Sequence, residues 1–129
     1  MTSADSGHYP QQVPIDAYGN GGFRFAELSH KGSLLCLPTG MFSWSKTSGA
    51  GLTLDDLAPV LAVADQLDVL LVGTGDDIIF LDPAVRKAFR ERKVIVEPIA
   101  TGGAVRTYNV LLAEERAVGA ALIAVERGK

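Results

Sequence analysis

Residues 94–125, VIVEPIATGGAVRTYNVLLAEERAVGAALIAV, decide the fold. Val94, Ile95 and Val96 make a short β-branched run of the kind that is covered on both faces in a parallel sheet. Thr101 stands where a helix N-cap is expected, its hydroxyl placed to accept from a free amide of the first turn. Gly102 and Gly103 follow. Both are poor helix formers, so their position points to a backbone or a ligand coming close to the helix start. From Ala104 the apolar residues Ala104, Val105, Tyr108, Leu111 and Leu112 fall on one stripe at helical spacing. Glu114, Glu115 and Arg116 close the helix, and VGAALIAV at 118–125 reads as a second covered strand.

Arg106 departs from the pattern. A cation in the first turns meets the positive end of the helix macrodipole, at a cost of a few tenths to about 1 kcal/mol. An internal carboxylate, with Glu97, Asp76 and Asp77 as the candidates, would offset this; so would an anionic ligand. Thr101, Gly102, Arg106 and Asn109, with Gly73 and Gly75 on the rim, are therefore the candidate ligand-binding residues.

Upstream, residues 69–72 form an apolar strand ended by Gly73-Thr74-Gly75-Asp76-Asp77. Asp82-Pro83 opens a helix, aspartate as N-cap and proline at the first helical position. Val85, Ala88 and Phe89 are its inward residues, and Arg86, Lys87, Arg90, Arg92 and Lys93 cover the rest and suit its C-terminal end. The order from residue 69 is strand, helix, strand, helix, strand, which favours an α/β arrangement with right-handed crossovers. Before it, Thr53 with Asp56 is expected to cap a helix whose buried stripe is Leu57, Val60, Leu61 and Ala64.

The first third differs in kind. Glycine and asparagine within 15–25 mark a turn between two strands, and Ser29-His30-Lys31-Gly32 reads as a second turn before a strand at 33–37. Pro38-Thr39-Gly40 breaks that run and 41–44 resumes it. The stretch is a meander of short antiparallel strands. Residues 1–13 are polar, with Gly, Pro and Gln, and read as a flexible tail before one domain over 14–129.

A chain of 129 residues is long enough for one real core. Its formal charge of -3 argues against broad nucleic-acid binding. No apolar run reaches the eighteen or so residues of a membrane span, and the leading residues lack a secretion pattern, so the cytoplasm is expected. The single Cys36, inside an apolar run, is expected buried and inert. His8 and His30 have no metal-spaced companion. Ser29, Ser33, Ser43 and Ser45 lack a nucleophile-elbow pattern, and Asp55 and Asp56 read as helix-start carboxylates. Gly73-Thr74-Gly75 lacks the third glycine of a dinucleotide fingerprint, and Asp76-Asp77 would repel a pyrophosphate. No cofactor or metal is expected, and no catalytic residue is assigned. Trp44 and Tyr18 fit either a core or an interface.

LLVGTG at 70–75, TGGAVRTYNVLL at 101–112 and the closing Glu115-Arg116 with Ala120-Ala121-Leu122-Ile123 resemble a small family of uncharacterised proteins. Its mitochondrial members include a respiratory complex I assembly factor. Residues 15–25, 29–38 and Trp44 are similar to bacterial members. The resemblance implies a three-layer α/β domain: a central mixed, largely parallel sheet flanked by helices, plus a small antiparallel β-layer from the N-terminal third. It also implies an accessory role carried out through a protein partner rather than a reaction. No family catalytic residues come with it, and it sets no oligomeric state.

Overall fold

A computed structural model describes residues 8–128. In chain order it has strands β1 (His8–Tyr9), β2 (Ala17–Gly19), β3 (Gly22–Phe25), β4 (Leu28–Lys31), β5 (Ser33–Leu37) and β6 (Gly40–Trp44). Helix α1 (Ala58–Leu61) and a 3-10 turn (Ala64–Gln66) follow, then β7 (Val69–Gly73), α2 (Pro83–Glu91), β8 (Ile95–Ile99), α3 (Thr101–Ala113) and β9 (Val118–Leu122).

One mixed sheet has the order β1-β6-β5-β9-β7-β8, and a second, antiparallel sheet has the order β2-β3-β4. In the large sheet β7 runs parallel to both β8 and β9, whereas β5 meets β9 and β6 antiparallel. The parallel part is thus confined to three strands. The meander does not stay in one layer: β5 and β6 extend the central sheet, and only β2–β4 make the small one.

Alternation with period two sends the sheet residues to two cores. Leu35, Leu37, Leu70, Val72, Val96 and Ala121 face a cluster completed by Val60 of α1 and by Val85 and Phe89 of α2. Leu34, Cys36, Leu71, Val118, Ala120 and Leu122 face the other, completed by Ala104, Val105 and Tyr108 of α3 and by Phe23 and Phe25 of the small sheet. From β7 the chain crosses to β8 on one side and then returns past it to β9 on the other. Right-handed crossovers in opposite directions must place their helices on opposite faces, as α2 and α3 are.

Local chemistry explains most of the elements. Asn20 and Gly21, both at positive φ (53° and 77°), make the two-residue turn that joins β2 to β3. Asp82 accepts from Ala84 N at 2.9 Å and Pro83 sets the first turn of α2. At β8, Ile95 N donates to Asp68 O and Thr74 N donates to Ile99 O, so residues 95, 97 and 99 bond β7. The outward backbone of this edge strand belongs to Val96 and Pro98, and proline has no N–H to offer a neighbour.

Several expectations need correcting. The second turn of the meander is not at 29–32. Residues 28–31 are strand β4, and the turn is Ala26-Glu27, two non-glycine residues at φ 49° and 63°. Their register, Phe25 opposite Leu28, demands positive φ that their side chains disfavour, so no local signal marked it. The helix expected after Thr53 is short. Thr53 N donates to Asp56 Oδ2 (2.9 Å) and Asp56 N to Thr53 Oγ1 (3.2 Å), but this reciprocal pair closes a turn before α1. Ala88 on α2 is only half-buried. Finally, the supposed tail at 1–13 falls outside the described residues for 1–7, and from His8 onward it is engaged: β1 pairs with β6, Gln12 Nε2 donates to Val118 O (2.8 Å), and Tyr108 Oη donates to Val13 O (2.8 Å).

Candidate functional site

The C-terminal ends of β7, β8 and β9 meet the start of α3. Helix α3 covers residues 101–113, with Ala104, Val105 and Tyr108 buried and Leu111 and Leu112 half-buried, as its stripe requires. Its N-cap is Ala100, not Thr101, and no side chain caps it. Thr101 is the first helical residue and is wholly buried. Its hydroxyl donates to Ile123 O at 2.7 Å and accepts from Gly75 N at 3.0 Å, while its own N–H donates to Gly75 O at 2.8 Å. One side chain thereby ties the ends of two strands to the helix start.

Gly73 is buried against this knot. A Cβ there would stand 3.0 Å from Thr101 Cα, Thr101 Oγ1 and Leu122 Cδ2, so close approach is the reason for glycine. Gly102 has an analogous reason: a Cβ would run into the hydroxyl of Tyr18, which β2 lays over the first turn of α3. At Gly103 the neighbour is Ile99 Cγ2. The glycines of the helix start thus admit side chains of this same chain.

Asn109 is held by the chain before β2. Its Oδ1 accepts from Ile15 N and its Nδ2 donates to Ile15 O, both at 2.8 Å, so the amide imitates a strand partner. Its neighbour Tyr108 is buried, and burial raises its phenol above the ordinary range.

What remains open is a depression of about 230 Å³ lined by Tyr18, Gly75, Asp76, Gly102, Arg106 and Arg127, among others. Of the six candidate residues it brings together Gly75, Gly102 and Arg106; Gly73, Thr101 and Asn109 lie elsewhere. Among the described residues no carboxylate comes within 4.0 Å of Arg106, so the internal pair with Glu97, Asp76 or Asp77 is not made. Nothing local in the sequence marks Tyr18 or Arg127 for this place. The paired glycines signalled that something approaches the helix, but its identity depends on the small sheet docking there.

A larger groove of about 660 Å³ lies on the outer face of β2–β4. Ala17, Gly19, Gly22, Arg24 and Lys31 are among its lining residues. Cys36 is fully buried, and desolvation pushes its thiol well above the ordinary range. No helix among the described residues is long and apolar enough to cross a membrane.

Comparison with known proteins places this fold. A family of proteins of unknown function, DUF498/DUF598, matches residues 15–123. An uncharacterized protein of Rhodobacter capsulatus is 42% identical over 111 residues, covering 86% of this chain and 84% of that one. NADH dehydrogenase [ubiquinone] 1 alpha subcomplex assembly factor 3 of Mus musculus is 33% identical over 89% of this chain, which spans 62% of the mouse protein. Among solved structures, one described as an outer membrane protein from Bartonella henselae superposes with a TM-score of 0.88 at 49% identity, over 92% of this chain and all of that one. A Mth938-like domain protein from Bordetella pertussis gives 0.73 at 29% identity, covering 86% of this chain and 85% of that one. The chain belongs to the DUF498/DUF598 family, whose fold it shares and whose relatives include assembly factors of NADH dehydrogenase.

Proposed function

We propose that this chain is a non-catalytic interaction protein that acts as an accessory or assembly factor for a membrane respiratory complex of the NADH:ubiquinone oxidoreductase type. The observation that carries the reading is the similarity to the animal assembly factors across nearly the whole described domain, 33% identity over 89% of this chain for the mouse protein. The use of Thr101, Tyr108 and Asn109 is consistent with it. These polar side chains of the most distinctive stretch bind the chain's own backbone, and so serve a scaffold that presents surfaces. Affinity purification of the full chain from its native host tests the reading. Recovery of subunits of that oxidoreductase is the expected result, and a preparation that recovers none of them overturns it.

A second reading has one specific observation in its favour. Arg106 makes no ion pair within 4.0 Å among the described residues and lies beside the first turn of α3 in the depression it shares with Arg127 and Asp76, where two cations outnumber one carboxylate, an arrangement suited to a small anion. Titration with inorganic phosphate, followed by amide chemical shifts of Gly102 and Gly103, tests it. Saturable shifts that vanish in Arg106→Ala favour anion binding, and shifts that stay at the level of bulk salt discard it.

A further inference from the structure

Most large apolar side chains are inside, yet Phe80 is 83% exposed and Ile78 52% exposed. Both lie on the eight-residue connection between β7 and Asp82, the N-cap of α2. An aromatic ring left this bare on a well-packed small protein marks a contact surface more often than a scattered surface residue does.

The connection is firmly held. Thr74 is 2% exposed, and its hydroxyl donates to Asp77 O at 2.7 Å and accepts from Ile79 N at 3.1 Å. Leu81, immediately after Phe80, is buried in the α2-side core. Ile78 and Phe80 are therefore displayed between two anchors, so ordering them on binding costs little conformational entropy. Buried aromatic anchors of this sort dominate interface energies when they fill a pocket on the partner.

Within the connection itself the charges have one sign. Asp76, Asp77 and Asp82 are all exposed, residues 74–82 hold no lysine or arginine, and among the described residues no cation lies within 4.0 Å of those carboxylates. An apolar tip carried on a connection whose own charges are all negative, with Arg106 and Arg127 only on the far side of Asp76, is complementary to an apolar slot bordered by lysine or arginine. It repels acidic protein surfaces and anionic lipid alike. We propose that the Ile78–Phe80 tip is the docking site for a partner protein that receives Phe80 in an apolar slot flanked by basic side chains. This rests on the interaction reading above and specifies its surface.

Photo-crosslinking in the native host tests it, with Phe80→p-benzoylphenylalanine, and Val110→p-benzoylphenylalanine and Lys31→p-benzoylphenylalanine as probes of other faces. The expected result is one discrete protein adduct from position 80 whose cross-linked peptide carries lysine or arginine beside apolar residues. Its yield should fall at least about fivefold when Asp76→Lys and Asp77→Lys are added, in chains whose thermal unfolding is unchanged. An adduct with a second copy of this chain, with lipid or with an acidic segment overturns the proposal, as does a yield indifferent to charge reversal. Discrete adducts from position 31 or 110 but none from 80 sink this surface and leave the interaction function standing. No discrete adduct from any of the three positions sinks this surface, and the interaction function then stands or falls with the affinity purification above.

Discussion

Thr101 illustrates how a residue read for one role performs another. The hydroxyl is expected to cap α3; instead, from a wholly buried position, it joins Ile123 O to Gly75 N. Thr101→Val keeps the shape and strands both backbone groups, so a loss of about 1–3 kcal/mol is expected. Urea unfolding measures this, and an unchanged midpoint would show that the knot is dispensable. Ala26 and Glu27 make the opposite case. Both sit at positive φ, a conformation that costs side-chain-bearing residues about 1–2 kcal/mol each. The double substitution Ala26→Asn with Glu27→Gly supplies the turn with residues suited to it and should raise the unfolding free energy by about 1 kcal/mol or more. A drop in thermal midpoint would mean that Ala26, which packs beside the small-sheet core, matters more than the turn.

Among the elements, the turn before α1 carries a pH signature. Asp56 is held below its usual 3.8, first by the backbone N–H of Thr53 and then by the Thr53 hydroxyl and by Lys46, whose Nζ is 3.4 Å away. A depressed folded-state value stabilises the fold above the unfolded value and loses that stabilisation as pH falls through the folded one. The full chain should therefore lose stability on acidification below the ordinary carboxylate range by more than Asp56→Asn does. Urea midpoints measured at neutral pH and at about pH 3 compare the two. Equal acid sensitivity would place the loss in other carboxylates. Trp44 extends this element's reach, since its indole N–H donates to Asp56 O at 3.0 Å and ties the turn to β6.

At the scale of the whole molecule, the segment before β2 acts as a strap across the α3 face. Gln12 reaches Val118 O, Val13 O receives the Tyr108 hydroxyl, and Asn109 grips Ile15. A chain begun at Pro14 loses the first two bonds and β1, and should be less stable by roughly 2–3 kcal/mol in urea. Identical unfolding of the two chains would return residues 8–13 to the status of a tail. Composition suggests a tail because residues 1–13 are polar and carry Gly, Pro and Gln. Such residues engage only when a distant surface offers partners, and here those partners are about a hundred residues away.

The sequence by itself determined the parts whose physics is local. Periodicity fixed the α3 stripe, apolar runs fixed the covered strands β7 and β9 (the latter ending at Leu122 rather than at Val125), Asp82-Pro83 fixed the start of α2, and the glycine-asparagine cluster fixed the first hairpin. The glycines at 102 and 103 also announced a close approach. Tertiary structure decided what came near: Tyr18 over Gly102, Ile99 beside Gly103, and Ile15 on Asn109. It left Arg106 without a carboxylate, split the meander between two sheets and placed a turn at Ala26-Glu27 that no turn residue announced. The division has one cause. Backbone preference and burial repeat along a few residues of chain, whereas hydrogen-bond partners and packing neighbours are set by long-range pairing, in which residues far apart in order become adjacent in space.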